Sequence, residues 1–300
     1  MKKLIKNAGP VLKSCFNGFI DDKVLKLSAA LAYYTVFSIG PLLLIIISLC
    51  SLLYGREAVE GHIYGTLERF TGHDTAAQLQ LIIKNAAILG KGSLAAVVGT
   101  VMLIIGATSV FAEMQESIDM IWDVKPKPKK SWLKYLQNRF LSISVVIGLG
   151  FLLLVSLAVS SLIEGLSDHL RDAFPGIAIV AFYIFNVIFT FCIITLLFAA
   201  IFKILPDVKI KWKDVLAGSV MTSLLFMLGK FGISFYIGRS NIGTTYGTAG
   251  ALVVILLWIY YSSIILYLGA EFTKAYALVT GSKIYPAEYA VKTESVEVEN

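Results

Sequence analysis

The chain has 300 residues, 57% apolar and only 15% charged, with 26 Lys and Arg against 20 Asp and Glu. A soluble domain carries about a quarter charged residues, so the composition excludes an ordinary soluble enzyme and predicts an all-α, polytopic membrane protein. The net charge of +6 lies between apolar runs, which makes it a topology signal and leaves no nucleic-acid partner expected.

Residues 1–27 are polar and basic. Leu12, Cys15, Phe16, Phe19 and Ile20 recur at helical spacing among Lys2, Lys3, Lys6, Lys13, Lys23 and Lys26. This predicts an amphipathic helix on the membrane surface, its lysines near anionic headgroups. A first span is expected over 28–53. Its small residues Ser28, Ala29, Ala32 and Thr35 permit close helix approach. Gly40 and Pro41 form a hinge, because proline frees the carbonyl of Phe37. Residues 54–92 form an outward connection of mixed charge, with an amphipathic helix around Leu79, Ile82, Ile83, Ala86 and Leu89. Further spans follow at about 93–114, 140–163, 177–202, 215–237 and 249–270, each near the roughly 20 apolar residues a bilayer requires. The second continues as a polar helix to Trp122. The expected organisation is thus a bundle of six transmembrane helices within a membrane domain at 28–280. A polar tail at 281–300, rich in glutamate, is expected to be disordered.

Basic residues occupy alternate connections: the N-terminus, Lys125 to Arg139, and Lys203 to Lys213. An even number of spans with both termini in the cytoplasm satisfies the positive-inside bias. No cleavable signal peptide is visible, since the first apolar run starts too late and is too long. Cys15, Cys50 and Cys192 have no metal-like spacing, and Cys50 and Cys192 read as buried thiols within apolar runs. No cofactor is expected. P-loop, GxGxxG and HExxH motifs are missing, and His62, His73 and His169 lie in outward connections.

Charged and polar groups near the spans supply the candidate site. Glu113, Glu116 and Asp119 recur three apart at the end of the second span. They fit a proton or cation relay, or simply a helix leaving the membrane with its acids toward a basic loop. Glu271 sits at equal depth on the sixth span, where it could meet Glu113 or pair with Lys274. Lys230 lies in the outer half of the fifth span, functional or snorkelling. Asn186, near the middle of the fourth span, fits interhelical hydrogen bonding. Tyr260, Tyr261, Ser262 and Ser263 put hydroxyls deep in the sixth span, where lipid offers no partner. Gly247 and Gly250 open that span as a hinge or a packing turn.

Four motifs carry a family resemblance. LAYYTVFSIGPLL (31–43), GATSVFAEMQESIDMIWDV (106–124), FKILPDVKIKWKDVLAGS (202–219) and YGTAGALVVILLWIYYSSIILYLGAEFTKAYA (246–277) occur in that order. Together they resemble the bacterial YihY/BrkB family of inner-membrane proteins, from about Phe16 to Ala277. The resemblance implies a six-helix protein of the bacterial cytoplasmic membrane. It also implies a family once mislabelled as ribonuclease BN, with one member described as a serum-resistance virulence factor and others suspected of moving envelope lipids or lipid-linked glycans. No catalytic residues come with it. The expected function is a transporter or flippase-like protein for a lipid or other envelope component, with no enzymatic activity. The alternatives are a structural or regulatory membrane scaffold and, remotely, a ribonuclease using an acid such as Asp119. Expected partners are membrane lipids at the basic face, with a second copy or an envelope protein left open.

Overall fold

The computed structural model describes residues 2–50, 93–127, 177–239, 250–282, 284–287 and 290–293, with isolated positions between 60 and 81. Six long helices carry the described chain: α1 (Lys2–Asp21), α2 (Val24–Cys50), α3 (Ser93–Ile121), α4 (Ile177–Ile204), α5 (Trp212–Arg239) and α6 (Gly250–Val279). Helix α1 falls in the expected amphipathic segment, and each of the other five overlaps an expected apolar run, extended by polar turns. The expected run at 140–163 lies outside the described residues. Among the described residues, three stretches are long and apolar enough to cross a membrane: Val187–Ile204, Trp212–Ile233 and Leu252–Val279. At 30 residues, α6 is about 45 Å long, which exceeds a hydrocarbon core of about 30 Å. A helix of that length reaches past the core or tilts within it.

The bundle is organised around α6, which packs on α1, α2 and α5, while α2 packs on α3 and α4 on α5. Tyr267 of α6 is fully buried in the main core with Ile118 and Ile121 of α3, Phe202 of α4, Val24 of α2 and Val215 of α5. This core gathers at one end of the bundle. Toward the other end the helices present apolar side chains outward, among them Phe37, Ile188, Leu228 and Phe231. Outward-facing apolar rows suit lipid, which replaces the core such residues would otherwise need. Cys192 is one of them: it was expected to be buried and is exposed.

Two small strand pairs close the core end. After α3 comes β1 (Val124–Pro126), and between α4 and α5 lies β2 (Val208–Lys209). The segment after α6 supplies β3 (Tyr285–Pro286), antiparallel to β2, and β4 (Ala290–Lys292), antiparallel to β1. The disorder expected over 281–300 therefore does not hold for these residues. Ala290 is buried and Ile284 packs on the main core, so a few apolar anchors outweigh the acidic composition. Backbone groups at the ends of α3 and α4 find partners in this lacing: Ala287 N–H donates to the Asp207 carbonyl at 2.8 Å, and Thr293 N–H to that of Asp123 at 2.7 Å.

Two tight corners set the same end. Lys23, between α1 and α2, and Asp123, between α3 and β1, both adopt left-handed conformations with φ of 52° and 55°. The Lys23 N–H donates to the Ile20 carbonyl and the Asp123 N–H to that of Met120. Each corner thereby closes the last turn of its helix.

Candidate functional site

The amphipathic N-terminal helix is real, and it divides its apolar residues between two faces. Val11 and Cys15 are buried against α6, in a cluster with Ala275, Leu268, Phe272, Tyr276 and Val279. Leu12, Phe16 and Ile20, one turn apart, are 54%, 63% and 57% exposed. Helix α1 therefore uses one apolar edge on α6 and offers the other outward, as an interfacial helix does.

Between the two helices a cavity of about 480 Å³ opens, lined by Lys13, Asn17, Gly18 and Asp21 among others on α1 and by Glu271, Lys274, Ala275 and Leu278 of α6. Glu271 forms its floor. The residue is 2% exposed, its Oε1 has no hydrogen-bond partner, and its carboxylate is directed at Gly18. A Cβ at position 18 would overlap that carboxylate, so glycine is what lets α1 come this close. The Asp22 carboxyl is within hydrogen-bonding reach of Glu271. Lys274, one turn further on, sits 2.9 Å from Asp123 Oδ2 and 3.9 Å from Asp22 Oδ2. One ammonium thus joins the α1–α2 corner, the α3–β1 corner and α6. Its ion-pair partners come from across the bundle, beyond the neighbouring Glu271 expected from sequence. The Cys15 thiol, also facing this cluster, is pushed up to about 12 by burial and then by the Glu271 charge.

The other candidate residues are placed elsewhere. Glu113 is half-buried on α3, where Ser117 Oγ donates to its Oε1 at 3.4 Å, and Tyr267 is its electrostatic neighbour. Glu116 is exposed. Asp119 is buried and accepts the backbone N–H of Asp207 at 2.7 Å, while Gln115 Nε2 donates to Asp207 Oδ1 at 3.1 Å. The acid a nuclease reading leans on thus orders the turn after α4. Among the described residues, no group of three His, Cys, Asp or Glu side chains could hold a metal ion.

The hydroxyl patch of α6 resolves into local bonds. Ser262 and Ser263 donate to the carbonyls of Trp258 and Ile259 one turn earlier, at 2.8 and 2.7 Å. Tyr261 lies over Gly229 of α5, and its hydroxyl donates to the Leu225 carbonyl at 3.5 Å. Lys230, beside Gly229, and Tyr260 are both half-buried. Neither lines the α1–α6 cavity, and neither does Glu113. Asn186 falls within α4, but its side chain lies outside the described residues, as does that of Pro41; α2 continues as helix through Gly40 and Pro41. Gly247 lies outside the described residues, and Gly250 is the first residue of α6.

Sequence reading named Glu271 but missed Gly18, Asp21, Asp22 and Asp123, which surround it or its neighbour. The signal was present as FIDDK and IWDVK, helix ends that place acids at sharp corners.

The known proteins similar to this chain are named as membrane proteins. At 28% identity, the chain matches a UPF0761 membrane protein of Tolumonas auensis over 84% of its own length and 80% of the relative. UPF0761 membrane proteins of Stenotrophomonas maltophilia (26%, covering 86% of this chain) and Pseudomonas aeruginosa (29%, covering 84%) also match. The chain spans about three fifths of the length of those last two, at 59% each. No solved structure matches. The model of one family, described as "Virulence factor BrkB", matches residues 15–290, from the buried thiol of α1 to the first residue of β4, and the chain belongs to that family.

Proposed function

We propose that the chain is a transporter or flippase-like protein for a membrane lipid or related envelope component. In this reading it crosses the bacterial cytoplasmic membrane six times, with both termini and the strand-laced end in the cytoplasm. The observation that carries it is the cavity between α1 and α6. It lies where an interfacial helix with an outward apolar edge meets the emerging end of a spanning helix, and it pairs charged walls with an apolar rim. Amphipathic molecules are recognised at such boundaries, and the volume suits a headgroup. Neither the family description nor the relatives' names indicate an enzymatic activity. No nucleotide-binding motif is present in the sequence, so transport would be passive, coupled to an ion, or driven by a partner.

The test is reconstitution of the purified chain into vesicles carrying labelled lipid in both leaflets. The expected result is exchange between leaflets well above that of protein-free vesicles, reduced several-fold by Glu271→Gln. Exchange at the protein-free rate, for every lipid and solute tried, would sink the reading.

A scaffold reading is favoured by a different observation, the close seam between α5 and α6. Gly218 faces Thr273 and Gly269 faces Thr222, each without room for a Cβ. Such a seam resists the relative sliding that alternating access requires. If the scaffold reading is right, a chain ending at 282, which loses β3 and β4, abolishes the deletion-strain complementation that Glu271→Gln retains.

A further inference from the structure

We propose that the α1–α6 cavity is a headgroup site for an amine-bearing phospholipid taken from the leaflet in which α1 lies. The lipid-handling reading is used here only to place α1 at the membrane surface; binding does not require transport.

The floor of the cavity asks for a donor. Glu271 is 2% exposed and its Oε1 is unpartnered. A carboxylate oxygen buried without a hydrogen bond loses its hydration without replacement, and native proteins rarely leave one so. Lys274, which lines the same cavity, has its ammonium engaged by Asp123 and Asp22. A ligand ammonium, with three N–H donors, meets the need directly. Asp21, exposed on the α1 rim, adds a second acid to the same cavity.

The rest of the lining fits the remainder of such a headgroup. Lys13, exposed on α1, stands on the cavity wall and matches a phosphate; Asn17, from the same face, offers an amide. A headgroup bearing only negative charge would meet Glu271 and Asp21 unfavourably. A quaternary ammonium has no N–H to give. Both considerations select a primary amine joined to a phosphate by a short linker.

The source is the bilayer. Leu278, 53% exposed, stands at the rim, and the outward row Leu12, Phe16 and Ile20 runs along the opposite side of α1. The outward row seats α1 on the bilayer surface, and an acyl chain lying against Leu278 would hold a headgroup beside the opening. A free amine would gain nothing from Leu278.

The test places the full-length chain in nanodiscs containing equal amounts of phosphatidylethanolamine, phosphatidylcholine and phosphatidylglycerol. Lipids retained after extraction are counted by native mass spectrometry. Phosphatidylethanolamine should be retained several-fold over the other two. Asp21→Asn, at an exposed position, and Glu271→Gln should each reduce that preference, the latter to near parity. O-phosphoethanolamine in solution should compete only at far higher concentration.

Equal retention of the three lipids would overturn the inference. So would a preference that both variants leave intact, or one that soluble O-phosphoethanolamine matches without an acyl chain. Leaflet exchange measured on the same preparations separates the two claims. Selective retention without exchange leaves this site standing and removes the transport reading. Exchange without selectivity does the reverse.

Discussion

The two faces of α6 behave in opposite ways. Against α5 the helix is pressed close: Gly269 meets Thr222, Gly218 meets Thr273, and Tyr261 lies across Gly229. The threonine hydroxyls donate back to carbonyls of their own helices, Thr222 to Gly218 at 2.7 Å and Thr273 to Gly269 at 2.6 Å. Polar atoms are thus satisfied locally and the contact between helices is van der Waals packing, which suits association in lipid. Against α1 the same helix holds a cavity, with glycine on one side and an unpartnered carboxylate on the other. Glycine serves both faces through close approach. At the seam the neighbour is the short, stiff side chain of a threonine; at the cavity it is the far end of a flexible glutamate. The comparison teaches that the seam fixes α6 in place, whereas the cavity leaves a side chain able to adjust to an occupant.

The largest expected effect breaks the seam. Gly269→Leu must displace Thr222, whose χ1 is restricted by β-branching and whose hydroxyl is engaged within α5. Overpacking of this kind costs about 3 kcal/mol. The expected outcome is a large fall in thermal stability in detergent, with loss of monodisperse protein on size-exclusion chromatography. Unchanged melting would show that α5 and α6 can separate without penalty, and the contrast between the faces would collapse.

Next comes the clasp at the end of α6. Lys274→Met leaves Asp22 and Asp123 facing Glu271 without their shared ammonium. The Lys274 and Asp123 side chains are 18% and 45% exposed, so water softens the loss, and about 1 kcal/mol is expected. The melting temperature should fall, and proteolysis in the corner after α3 should quicken. Lys274→Arg should restore much of both, since charge is what the clasp requires. Failure of arginine to rescue, with methionine harmful, would assign the effect to packing of the lysine stem.

A smaller effect sharpens the contrast from the cavity side. Gly18→Ala places a methyl where the Glu271 carboxylate now points. Because that carboxylate can swing into the cavity, the cost should stay under about 1 kcal/mol, well below that of Gly269→Leu. Lipid retention in the nanodisc measurement should nonetheless fall, as the carboxylate no longer occupies its place. A stability loss equal to that at Gly269 would mean that Glu271 is as rigidly packed as Thr222.

These contrasts also explain what could be read in advance. The long helices were legible because a bilayer-length apolar run has few other fates, and α1 because its apolar residues keep helical spacing. The strands β3 and β4 were not. Two or three residues carry no alternation, and their pairing depends on edges presented by distant parts of the chain, at Val208 and Val124. Glu271 was legible as a charge near a span, but its surroundings were not, because Gly18, Asp22 and Asp123 reach it from the ends of two other helices. The three-residue spacing of Glu113 and Glu116 put them near one another on α3. It could not show that the edge of the α3 interface passes between them, leaving Glu113 half-buried and Glu116 exposed. Hydroxyls in the middle of α6 need partners that lipid does not offer; Ser262 and Ser263 find them on their own helix, an option open to any serine within a helix.

The smallest expected effect is chemical, and it reports on the cavity floor without perturbing the seam. Cys15 is buried on the α1 side of the cluster, and its Sγ lies 3.8 Å from the Leu268 carbonyl. Its pKa, pushed up to about 12 by burial first and the Glu271 charge second, keeps it a thiol at neutral pH, and alkylation requires the thiolate. In a background lacking Cys50 and Cys192, iodoacetamide should therefore modify Cys15 slowly at pH 8, with a rate still climbing above pH 10. Removing the Glu271 charge by Glu271→Gln takes away only the smaller cause. The profile should move toward lower pH while staying above that of an exposed thiol, near 8.5. A profile that does not move in Glu271→Gln would mean that Glu271 carries no charge at the pH of labelling. It would then present a neutral acid to the cavity, and an ammonium headgroup would have little reason to choose that floor.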